Sequence, residues 1–341
     1  MAAPAFLLAA GFGTRLRPLT HDRPKPLVPL CGLPLLDQAV AWLGQQGFGS
    51  AVVNAHHLPG HIQAWADAHD FPLEVSVETP KILGTGGGLR HARKLLADRF
   101  VVVNGDVLSD VDLGALLDRL PPDGGAVMAL RDGGPQYGIV AADATDTVVD
   151  LVGLARAEPQ GAVDRSRHFT GIHALDQTVL ARIPEGEACI VRTAYSQLVP
   201  ERRVRSLPHD GTWVDLGNPQ LYLDANRAAL AGELPLALDP FPLAAFAARG
   251  EQRWGARDAL AIHPSARLVG PVWLGPGVVV HADAVLGPGV VVGAGAEVGA
   301  GTRVRDAVVW DGARVGPEER LQAAIVHDSG VLEGLESSAR W

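Results

Sequence analysis

The sequence has few cysteines and no long apolar run. Its two cysteines, Cys31 and Cys189, lie far apart and no CxxC occurs, so the chain offers neither a disulfide framework nor a thiolate zinc site. No uncharged stretch reaches the roughly 18 to 20 apolar residues that a membrane-spanning helix needs. The apolar start AFLLAA lacks the basic region of a secretory signal and instead predicts a buried first strand. We therefore expect a cytoplasmic protein that has no membrane partner.

Positive charge is scarce as well. The formal net charge of the 341 residues is -9, so no overall basic field exists to hold a nucleic acid backbone, and we expect no nucleic acid partner. Any phosphate binding must then be local. Only three of the 29 basic residues are Lys, and one of them, Lys25, lies between two prolines. Keeping Lys at this position indicates a need for a compact, flexible ammonium group.

Two patterns of hydrophobic residues divide the chain. Up to about residue 230, short apolar runs alternate with helix-like segments, which is typical of an α/β domain with a largely parallel sheet. From Ile262 onward an aliphatic residue recurs at every sixth position, which is typical of a parallel β-helix. We therefore predict an α/β domain over 1–230, a linker over 231–257 and a β-helix domain over 258–341. The predicted strands lie at 5–9, 50–54, 73–77, 100–104, 126–130 and 139–141, and the predicted helices at 35–46, 59–69 and 87–96.

The stretch LAAGFGTRLRPLTHDRPKPL begins at Leu8, directly after the first apolar run. A dinucleotide fingerprint would need a third glycine where Leu16 stands, and a Walker A loop would need Gly-Lys followed by Ser or Thr. A simple turn does not explain a lysine between prolines. The remaining interpretation is a glycine-lined loop whose backbone amides approach a nucleotide closely. Arg15 and Lys25, the latter in a stiff extended segment between its prolines, would then both face a polyphosphate.

The segment GFGTRLRPLTHDRPKPL resembles the signature of the sugar-1-phosphate nucleotidylyltransferases, which reads G-x-G-T-R-L-x-P-L-T followed by P-K-P. The resemblance implies an enzyme that joins an NTP and a sugar 1-phosphate to give an NDP-sugar and pyrophosphate. It assigns catalytic roles to Arg15 and Lys25. The residues that it assigns to nucleotide binding are Ala10, Gly11, Gly13 and Thr14.

The resemblance extends to the six-residue repeat. A subset of the family, including mannose-1-phosphate guanylyltransferases and ADP-glucose pyrophosphorylases, carries a C-terminal left-handed β-helix. The implied fold is a Rossmann-like nucleotidyltransferase domain with a mostly parallel sheet, followed by a short left-handed parallel β-helix. If each coil takes three hexads, as in the family, eight hexads make under three coils, and so short a stack needs cover at its ends. Packing on the first domain or on another subunit would supply this cover, and we expect a homo-oligomer formed through the β-helix domain. The repeat consists of Ile262, Leu268, Leu274, Val280, Leu286, Val292, Val298 and Val304, and Trp310 extends the series.

Two carboxylates match the family's metal ligands. Asp106 follows a buried strand in VVVNGDVL, and Asp215 lies in GTWVDLGNPQ, which resembles the family's W-x-D-[IVL]-G-x-P segment. The resemblance makes both residues Mg²⁺ ligands, and Mg²⁺ usually keeps few protein ligands while it bridges to substrate phosphates. The alternatives are a turn after Gly105 for Asp106 and an Asx turn before Gly217 for Asp215.

Three further segments match the family's base and sugar sites. LGTGGG resembles the turn that holds the nucleobase and assigns Gly84, Thr85 and Gly86 to nucleotide binding; alternatively, Thr85 is the N-cap of a helix. Tyr137 and Gly138 in QYGIV, together with Gly171 in FTGIH, resemble the sugar-binding positions, although a turn and an ordinary strand would have similar sequences.

The chain departs from the family where many members have E-K-P, whose Lys contacts the sugar phosphate. Here ARAEPQ has Glu158 and Pro159 without a Lys, and Arg156 is the candidate substitute. This departure, together with VVNAHHL and LGTGGG, makes the first domain similar to N-acetylmuramate-1-phosphate uridylyltransferases, which lack the β-helix.

The predicted function is a Mg²⁺-dependent nucleotidyltransferase, and the architecture favours mannose 1-phosphate with GTP. The alternative is a UTP-dependent amino-sugar-1-phosphate uridylyltransferase. A non-catalytic sugar-nucleotide-sensing homologue would be expected to lose one of the two catalytic cations or of the two metal-binding carboxylates. A hexapeptide acyltransferase would need a catalytic His, but His263 and His281 follow inward residues of the repeat and should lie on its outer surface. His57 and His61 are four residues apart, yet a helix beginning at Pro59 explains them without a metal.

Overall fold

The strand predicted from the first apolar run lies in the middle of a seven-stranded sheet. In a computed structural model, β1 (Ala5–Leu8) pairs in parallel with a strand on each side. Its first three residues are fully buried, because a central strand has both faces covered and carries consecutive apolar residues. The structure describes residues 4–133, 137–240, 246–249, 252–255 and 259–336. The parts of the predicted linker and β-helix domain at 241–245, 250–251, 256–258 and 337–341 lie outside the described residues.

Short strands make up most of the regular structure. In chain order they are β1 (Ala5–Leu8), β2 (Pro29–Leu30), β3 (Leu33–Pro34), β4 (Ala51–Ala55), β5 (Leu73–Val77), β6 (Arg99–Asn104), β7 (Val107–Ser109), β8 (Ala126–Asp132), β9 (Val140–Asp143), β10 (Val148–Leu151), β11 (Ala155–Arg156), β12 (Val163–Asp164), β13 (Arg167–Asp176), β14 (Val204–Pro208), β15 (Trp213–Asp215), β16 (Phe246–Arg249), β17 (Gln252–Gly255), β18 (Ala261–Ile262), β19 (Arg267–Leu268), β20 (Val272–Leu274), β21 (Val279–Val280), β22 (Val285–Leu286), β23 (Val290–Val292), β24 (Glu297–Val298), β25 (Arg303–Val309), β26 (Arg314–Val315), β27 (Arg320–His327) and β28 (Gly330–Leu332).

The helices are short. The α-helices are α1 (Leu35–Gln45), α2 (Pro59–Asp67), α3 (Gly84–His91), α4 (Leu113–Asp118), α5 (Gln177–Leu180), α6 (Ser196–Leu198) and α7 (Pro219–Ala231). The 3-10 helices are Thr14–Leu16, Lys25–Leu27 and Arg93–Leu95, and a π-helix spans Val191–Tyr195. None of the helices within the described ranges has the length and apolar character needed to cross a bilayer.

The large sheet is mostly parallel, as predicted. Its strand order is β14-β8-β13-β6-β1-β4-β5. β13 runs antiparallel to both of its neighbours, and the remaining neighbours in the sheet are parallel. A smaller antiparallel sheet has the order β11-β10-β9-β12. The α/β class predicted for the first part of the chain is therefore confirmed.

Helix α3 begins earlier than predicted. The expected start was residue 87, whereas the helix begins at Gly84. The amides of Gly86 and Gly87 donate to the carbonyl oxygen of Ala188, at 2.8 and 3.1 Å. A segment far along the chain thus accepts hydrogen bonds that a helix N-terminus cannot satisfy internally, and sequence periodicity carries no sign of it.

The hexapeptide-repeat region is a stack of parallel strands with three faces. Each face carries four rungs, namely β18-β21-β24-β26, β19-β22-β25-β27 and β20-β23-β25-β27, where β25 and β27 each contribute to two faces. Ala261 pairs with Val279, eighteen residues further on, so one coil takes three hexads there. The expectation of under three coils is wrong, because the stack continues beyond Val304 to β27.

The phase of the repeat shifts by one residue in the later coils. Val292 pairs with Val309, only seventeen residues further on, so Val309 occupies the position that the strict repeat gave to Trp310. The expectation that Trp310 extends the series is therefore wrong. Trp310 is nonetheless 1% exposed, because its indole packs on α7 and not inside the coil. His263 and His281 lie exposed on the outer surface, as predicted.

The chain forms two compact units that do not follow its order. One contains Met1–Phe12 and Ala39–Trp213, and the other contains Gly13–Gln38 and Val214–Trp341. The second unit thus holds the glycine-loop segment from Gly13 onward and the hexapeptide-repeat region. These ranges differ from 1–230 and 258–341, which stay a prediction about separable domains. Within the predicted linker, β16 pairs antiparallel with β17 and with β20 of the first coil.

A buried histidine makes the stability of the first unit depend on pH. His173 lies in β13 and its Nδ1 is hydrogen-bonded to the hydroxyl of Tyr195. Burial lowers the pKa of His173 from 6.5 to about 3. Between these two pH values the unfolded chain binds a proton that the folded chain does not bind. The free energy of unfolding should therefore fall as the pH drops from 6.5 toward 3, by about 1.4 kcal/mol per pH unit from this group.

Replacing the histidine should remove this dependence. We expect His173→Gln to lose stability at pH 7, because it disturbs a buried hydrogen bond. Its free energy of unfolding should then fall less steeply than that of the wild type between pH 6.5 and 4.5. Urea unfolding at several pH values measures both slopes, and equal slopes would contradict the assignment.

Candidate active site

The glycine loop folds back on itself within the second unit. Gly13 has a φ of 60°, and a Cβ at this position would lie 3.0 Å from Cβ of Lys25 and from Cγ2 of Thr20. The hydroxyl of Thr20 donates a hydrogen bond to the carbonyl oxygen of Gly13, at 2.9 Å. Glycine is therefore required at position 13 both for its backbone conformation and for the close approach of Lys25.

Lys25 is largely buried at the start of a 3-10 helix. The helix covers Lys25–Leu27 with Pro26 in its first turn, so the predicted extended segment around Lys25 is wrong. The prolines fix φ at their own positions and Pro26 suits the first turn of a helix, where its missing N–H leaves no bond unmade. The side chain of Lys25 is 9% exposed, and its Nζ lies 3.8 Å from Oδ1 of Asp215.

Arg15 approaches the same carboxylate from the open side. Its guanidinium lies 3.9 Å from Oδ2 of Asp215, whose side chain is 15% exposed, whereas the side chain of Arg15 is 72% exposed. A Cβ on Gly217 would lie within 3.2 Å of both the Asp215 carboxylate and the Arg15 guanidinium. The structure thus brings together Arg15, Lys25 and Asp215, with one cation buried and the other accessible to a ligand.

Asp106 lies at the carboxyl end of a central strand of the first unit. It follows β6 and precedes β7, and it is half-buried. The amide of the preceding Gly105 donates to the carbonyl oxygen of Leu8 at the end of β1, at 3.0 Å. Asp106 therefore lies beside the carboxyl end of β1, where ligands of open α/β sheets bind.

The donor chemistry fits a hard cation. Asp106 and Asp215 are partly exposed carboxylates, and Mg²⁺ prefers oxygen ligands and takes several of them from phosphates and water. No cluster of three or more His, Cys, Asp or Glu side chains able to hold a metal occurs in the part of the chain that the structure describes. A metal bound at either carboxylate would need further oxygen ligands. That the two carboxylates share one ion stays a prediction.

A buried hydrogen-bond chain joins the loop after β1 to the start of α3. The amides of Ala9 and Ala10 donate to Oδ1 of Asn54, at 2.6 and 3.3 Å. Nδ2 of Asn54 donates to one carboxylate oxygen of Glu78 at 2.7 Å, and the amide of Leu83 donates to the other at 2.6 Å. Asn54 and Glu78 are both buried. The chain therefore fixes the two predicted nucleotide-binding segments relative to each other.

Sequence reasoning missed Asn54, Glu78 and the glycine that makes room for them. A Cβ on Gly88 would lie 2.4 Å from Oε1 of Glu78 and 2.9 Å from Nδ2 of Asn54. The signal that was available is the polar Asn54 inside the apolar run AVVNA, since a buried amide side chain needs partners.

The LGTGGG turn packs closely against the segment around Ala188. Gly84 has a φ of 69°, and a Cβ there would lie 2.9 Å from the carbonyl oxygen of Ala188. The hydroxyl of Thr85 accepts a hydrogen bond from the amide of Ile190 at 3.2 Å. Thr85 lies inside α3 and is not its N-cap, so that alternative is wrong. Base binding by Gly84, Thr85 and Gly86 stays a prediction.

The remaining nucleotide-binding positions differ in how crowded they are. A Cβ built on Gly11 meets no described atom within 4 Å, so space is open on that side. Phe12 is 42% exposed and its ring lies 5.4 Å from the ring of His56 and 5.7 Å from that of His57. Thr14 is exposed at the start of the first 3-10 helix.

The predicted sugar-site residues belong to an aromatic group and a strand irregularity. The ring of Tyr137 stacks on that of His168 at 4.3 Å and meets Trp213 edge-on at 5.6 Å. Gly171 lies where the register of β13 shifts, with a φ of 81°, and a Cβ there would lie 2.3 Å from Nδ2 of Asn104. Gly171 is therefore needed for a bulge and is not part of an ordinary strand.

Gly138 is also sterically required. A Cβ on it would lie 2.6 Å from Cγ1 of Val152. Roles of Tyr137, Gly138 and Gly171 in sugar binding stay predictions.

Two arginines share one carboxylate near the place of the missing lysine. The guanidiniums of Arg156 and Arg165 lie 3.2 and 3.3 Å from Oδ2 of Asp150, which is largely buried. With Glu158 and Pro159 they line a cavity of about 620 Å³. Arg156 is thus already ion-paired, and its use as a substitute for the lysine stays a prediction.

Family models match both parts of the chain. A model described as nucleotidyl transferase matches residues 4–232, and one described as bacterial transferase hexapeptide (six repeats) matches residues 271–306. The mannose-1-phosphate guanylyltransferase of Mycobacterium tuberculosis is 31% identical over 285 residues, which is 81% of this chain and 76% of that protein. The N-acetylmuramate alpha-1-phosphate uridylyltransferase of Caulobacter vibrioides is 31% identical over 232 residues, which is 65% of this chain and 94% of that protein.

Two further similarities are weaker. The UTP--glucose-1-phosphate uridylyltransferase of Synechocystis is 29% identical over 67% of this chain and 64% of that protein. The crystal structure of HddC from Yersinia pseudotuberculosis matches with a TM-score of 0.54 and 22% identity, over 66% of this chain and 98% of that one, which shows a shared fold. The transferase model spans about two thirds of the chain, and a relative of 31% identity covers four fifths of it. The chain therefore belongs to the nucleotidyl transferase family and is a sugar-1-phosphate nucleotidylyltransferase.

Proposed function

We propose that the protein is a mannose-1-phosphate guanylyltransferase. The observation that carries this proposal is the length of its similarity to the Mycobacterium tuberculosis protein of that name. Their alignment covers 285 residues and so extends beyond the transferase match at 4–232. The relatives named as uridylyltransferases align over 65% and 67% of the chain. The chemistry is the transfer of a guanylyl group from GTP to mannose 1-phosphate.

The reaction requires charge neutralisation and needs no protein nucleophile. A phosphate oxygen of mannose 1-phosphate forms a bond to the α-phosphorus of GTP, while the bond from that phosphorus to the bridging oxygen breaks and pyrophosphate leaves with the electron pair. Arg15, with its exposed guanidinium, neutralises the leaving pyrophosphate. Lys25, held by Asp215 at 3.8 Å, neutralises the region of the α-phosphate. Preorganised cations of this kind stabilise the charge that develops in the transition state.

Asp106 and Asp215 would hold Mg²⁺ in this proposal. The ion supplies further positive charge to the phosphates when it is bound. Asp215 has a second function. The ammonium of Lys25 lies within 4 Å of one oxygen of its carboxylate, and the guanidinium of Arg15 lies within 4 Å of the other, so the carboxylate holds both cations.

A second candidate is a UTP-dependent amino-sugar-1-phosphate uridylyltransferase. It is favoured by the Caulobacter vibrioides protein, since this chain covers 94% of that relative at 31% identity. The absence of Lys beside Pro159 also favours it, since the first domain resembles that group there. Cys31 and Cys189 are thiols and are not joined in a disulfide, which agrees with a cytoplasmic location for either enzyme.

A substrate panel tests the choice. We expect GTP with mannose 1-phosphate to give the highest kcat/KM when four NTPs are crossed with sugar 1-phosphates, by at least about 100-fold over UTP pairs. Pyrophosphate release measures each rate. If UTP with an amino-sugar 1-phosphate is the best pair, the second candidate is correct. If no pair of NTP and sugar 1-phosphate is turned over, both candidate functions are contradicted and a non-catalytic homologue is favoured.

Single substitutions test the site. We expect Arg15→Ala, Lys25→Gln, Asp106→Asn and Asp215→Asn each to lower kcat/KM by about 100 to 1000-fold, because each removes a charge that acts on the phosphates. Arg17→Ala is the matched control, since Arg17 is an exposed arginine of the same loop and should stay near the wild-type rate. Circular dichroism checks folding. Variants that stay folded and keep wild-type turnover would show the assignment to be wrong.

We also propose a homo-oligomer that uses the hexapeptide-repeat region. Val269 in the first coil and Val331 in β28, after the last coil, are 41% and 46% exposed, and both are apolar. Light scattering at micromolar concentration should give at least twice the chain mass of 35.8 kDa. Val331→Glu should lower this mass if the contact involves that end. A wild-type monomer would contradict the proposal.

A further inference from the structure

Arg23, two residues before Lys25, is bound by the hexapeptide-repeat region. Its Nε and one terminal nitrogen donate to the two carboxylate oxygens of Asp328, at 3.3 and 3.1 Å. Asp328 directly follows β27, the last long strand of the stack. The guanidinium also lies over the ring of Trp310, 4.7 Å from its centroid. A two-pronged ion pair combined with stacking on an aromatic ring restricts an arginine far more than either contact alone.

Trp310 also reaches the chain on the other side of Lys25. Its Nε1 donates to the hydroxyl of Tyr222 at 3.0 Å, and that hydroxyl donates to the carbonyl oxygen of Pro29 at 2.5 Å. Tyr222 is fully buried, and burial raises its pKa, so its hydroxyl stays protonated and both accepts and donates. The one-residue shift of the repeat places Trp310 outside the coil, where its indole can contact Tyr222.

The residues beyond Pro29 are fixed by the same unit. The amide of Cys31 donates to Oδ1 of Asn226 in α7, at 2.8 Å. Gly32 has a φ of 81°, and a Cβ there would lie 2.2 Å from the ring of Trp273 in β20. The hairpin of β2 and β3 is therefore packed against both α7 and the first coil of the stack.

Between these contacts lies a short, stiff segment that carries Lys25. It runs from Arg23 to Pro29 and contains Pro24, Pro26 and the 3-10 helix. Proline fixes φ, so a segment of this composition has few ways to absorb a displacement at its ends. A shift of Arg23 would then move Nζ of Lys25 away from Asp215.

We propose that Asp328 and Trp310 of the hexapeptide-repeat region are positioning residues for Lys25, acting through Arg23 and Tyr222. The region then has a function in the reaction besides any role in assembly. This inference rests on the proposed assignment of Lys25 to the phosphates. It differs from that proposal because it concerns residues that touch neither substrate nor metal.

A charge swap tests the pair. Arg23→Asp and Asp328→Arg should each lower kcat by about 10 to 100-fold, since a displacement of about 1 Å at a catalytic group has that effect. KM should change much less. The double variant, with both charges exchanged, should recover most of the lost rate.

The matched control is the pair of Arg182 and Glu201, which is also two-pronged, with contacts of 2.8 and 3.0 Å. Its side chains are 34% and 39% exposed, against 25% and 33% for Arg23 and Asp328. Arg182→Glu, Glu201→Arg and their double variant should leave kcat unchanged. A double variant of Arg23 and Asp328 with the same loss as the single variants would overturn the proposal.

Hydrogen exchange separates failure of this inference from failure of the proposed function. The amides of residues 23–31 should exchange faster in Arg23→Asp and Asp328→Arg and return toward the wild-type rate in the double variant. Unchanged exchange in the single variants would overturn the inference whether or not the protein is active. The expected exchange pattern in a protein without turnover on any substrate pair would show that only the proposed function has failed. Trp310→Phe keeps a ring under Arg23 but removes the Nε1 donor. It should therefore raise the exchange of residues 23–31 less than Arg23→Asp or Asp328→Arg does.

Discussion

The arrangement of the site depends on holding the ammonium of Lys25 in a largely buried position. A charge that is removed from water costs free energy unless an opposite charge or hydrogen bonds compensate. Asp215 supplies the opposite charge, at 3.8 Å, and is itself only 15% exposed. The surrounding features follow from this pair. Gly13 leaves room for the stem of Lys25, and Gly217 leaves room for the carboxylate. Arg15 adds a second cation on the exposed side.

Two cations lie beside one carboxylate in this arrangement. Asp215 lowers the repulsion between Lys25 and Arg15, so the folded chain can keep both within 4 Å of its oxygens. The net charge of these three groups remains positive. If the proposed function is correct, a polyphosphate would meet a buried lysine that is already positioned, and the cost of positioning it belongs to folding and not to the reaction.

Local patterns were sufficient to predict five of the seven strands of the large sheet, namely β1, β4, β5, β6 and β8, and the position of the glycine loop. Consecutive apolar residues in β1 and β6 reflect strands covered on both faces, and this property is visible in a single segment. Long-range contacts were not predictable in the same way. Asn54 and Glu78 connect the loop after β1 to the start of α3 through buried hydrogen bonds. They accept from the backbone amides of Ala9 and Leu83, and because every residue except proline has such an amide, the sequence does not mark these partners. The 3-10 helix at Lys25 likewise differed from the extended segment that its prolines suggested.

Trp310 shows why the repeat gave a wrong result at one position and how that error matters. Val309 and Trp310 are both apolar, so a hexad pattern continues through either of them, and only the pairing of Val292 with Val309 reveals the shortened coil. The shortening leaves a large indole outside the stack, where an acceptor stabilises its buried N–H. Tyr222 provides this acceptor and passes the contact on to the loop of Lys25. Because one coil is a residue shorter, Trp310 is hydrogen-bonded through Tyr222 to the segment that carries the predicted catalytic lysine. A repeat of regular length would have kept Trp310 inside the coil.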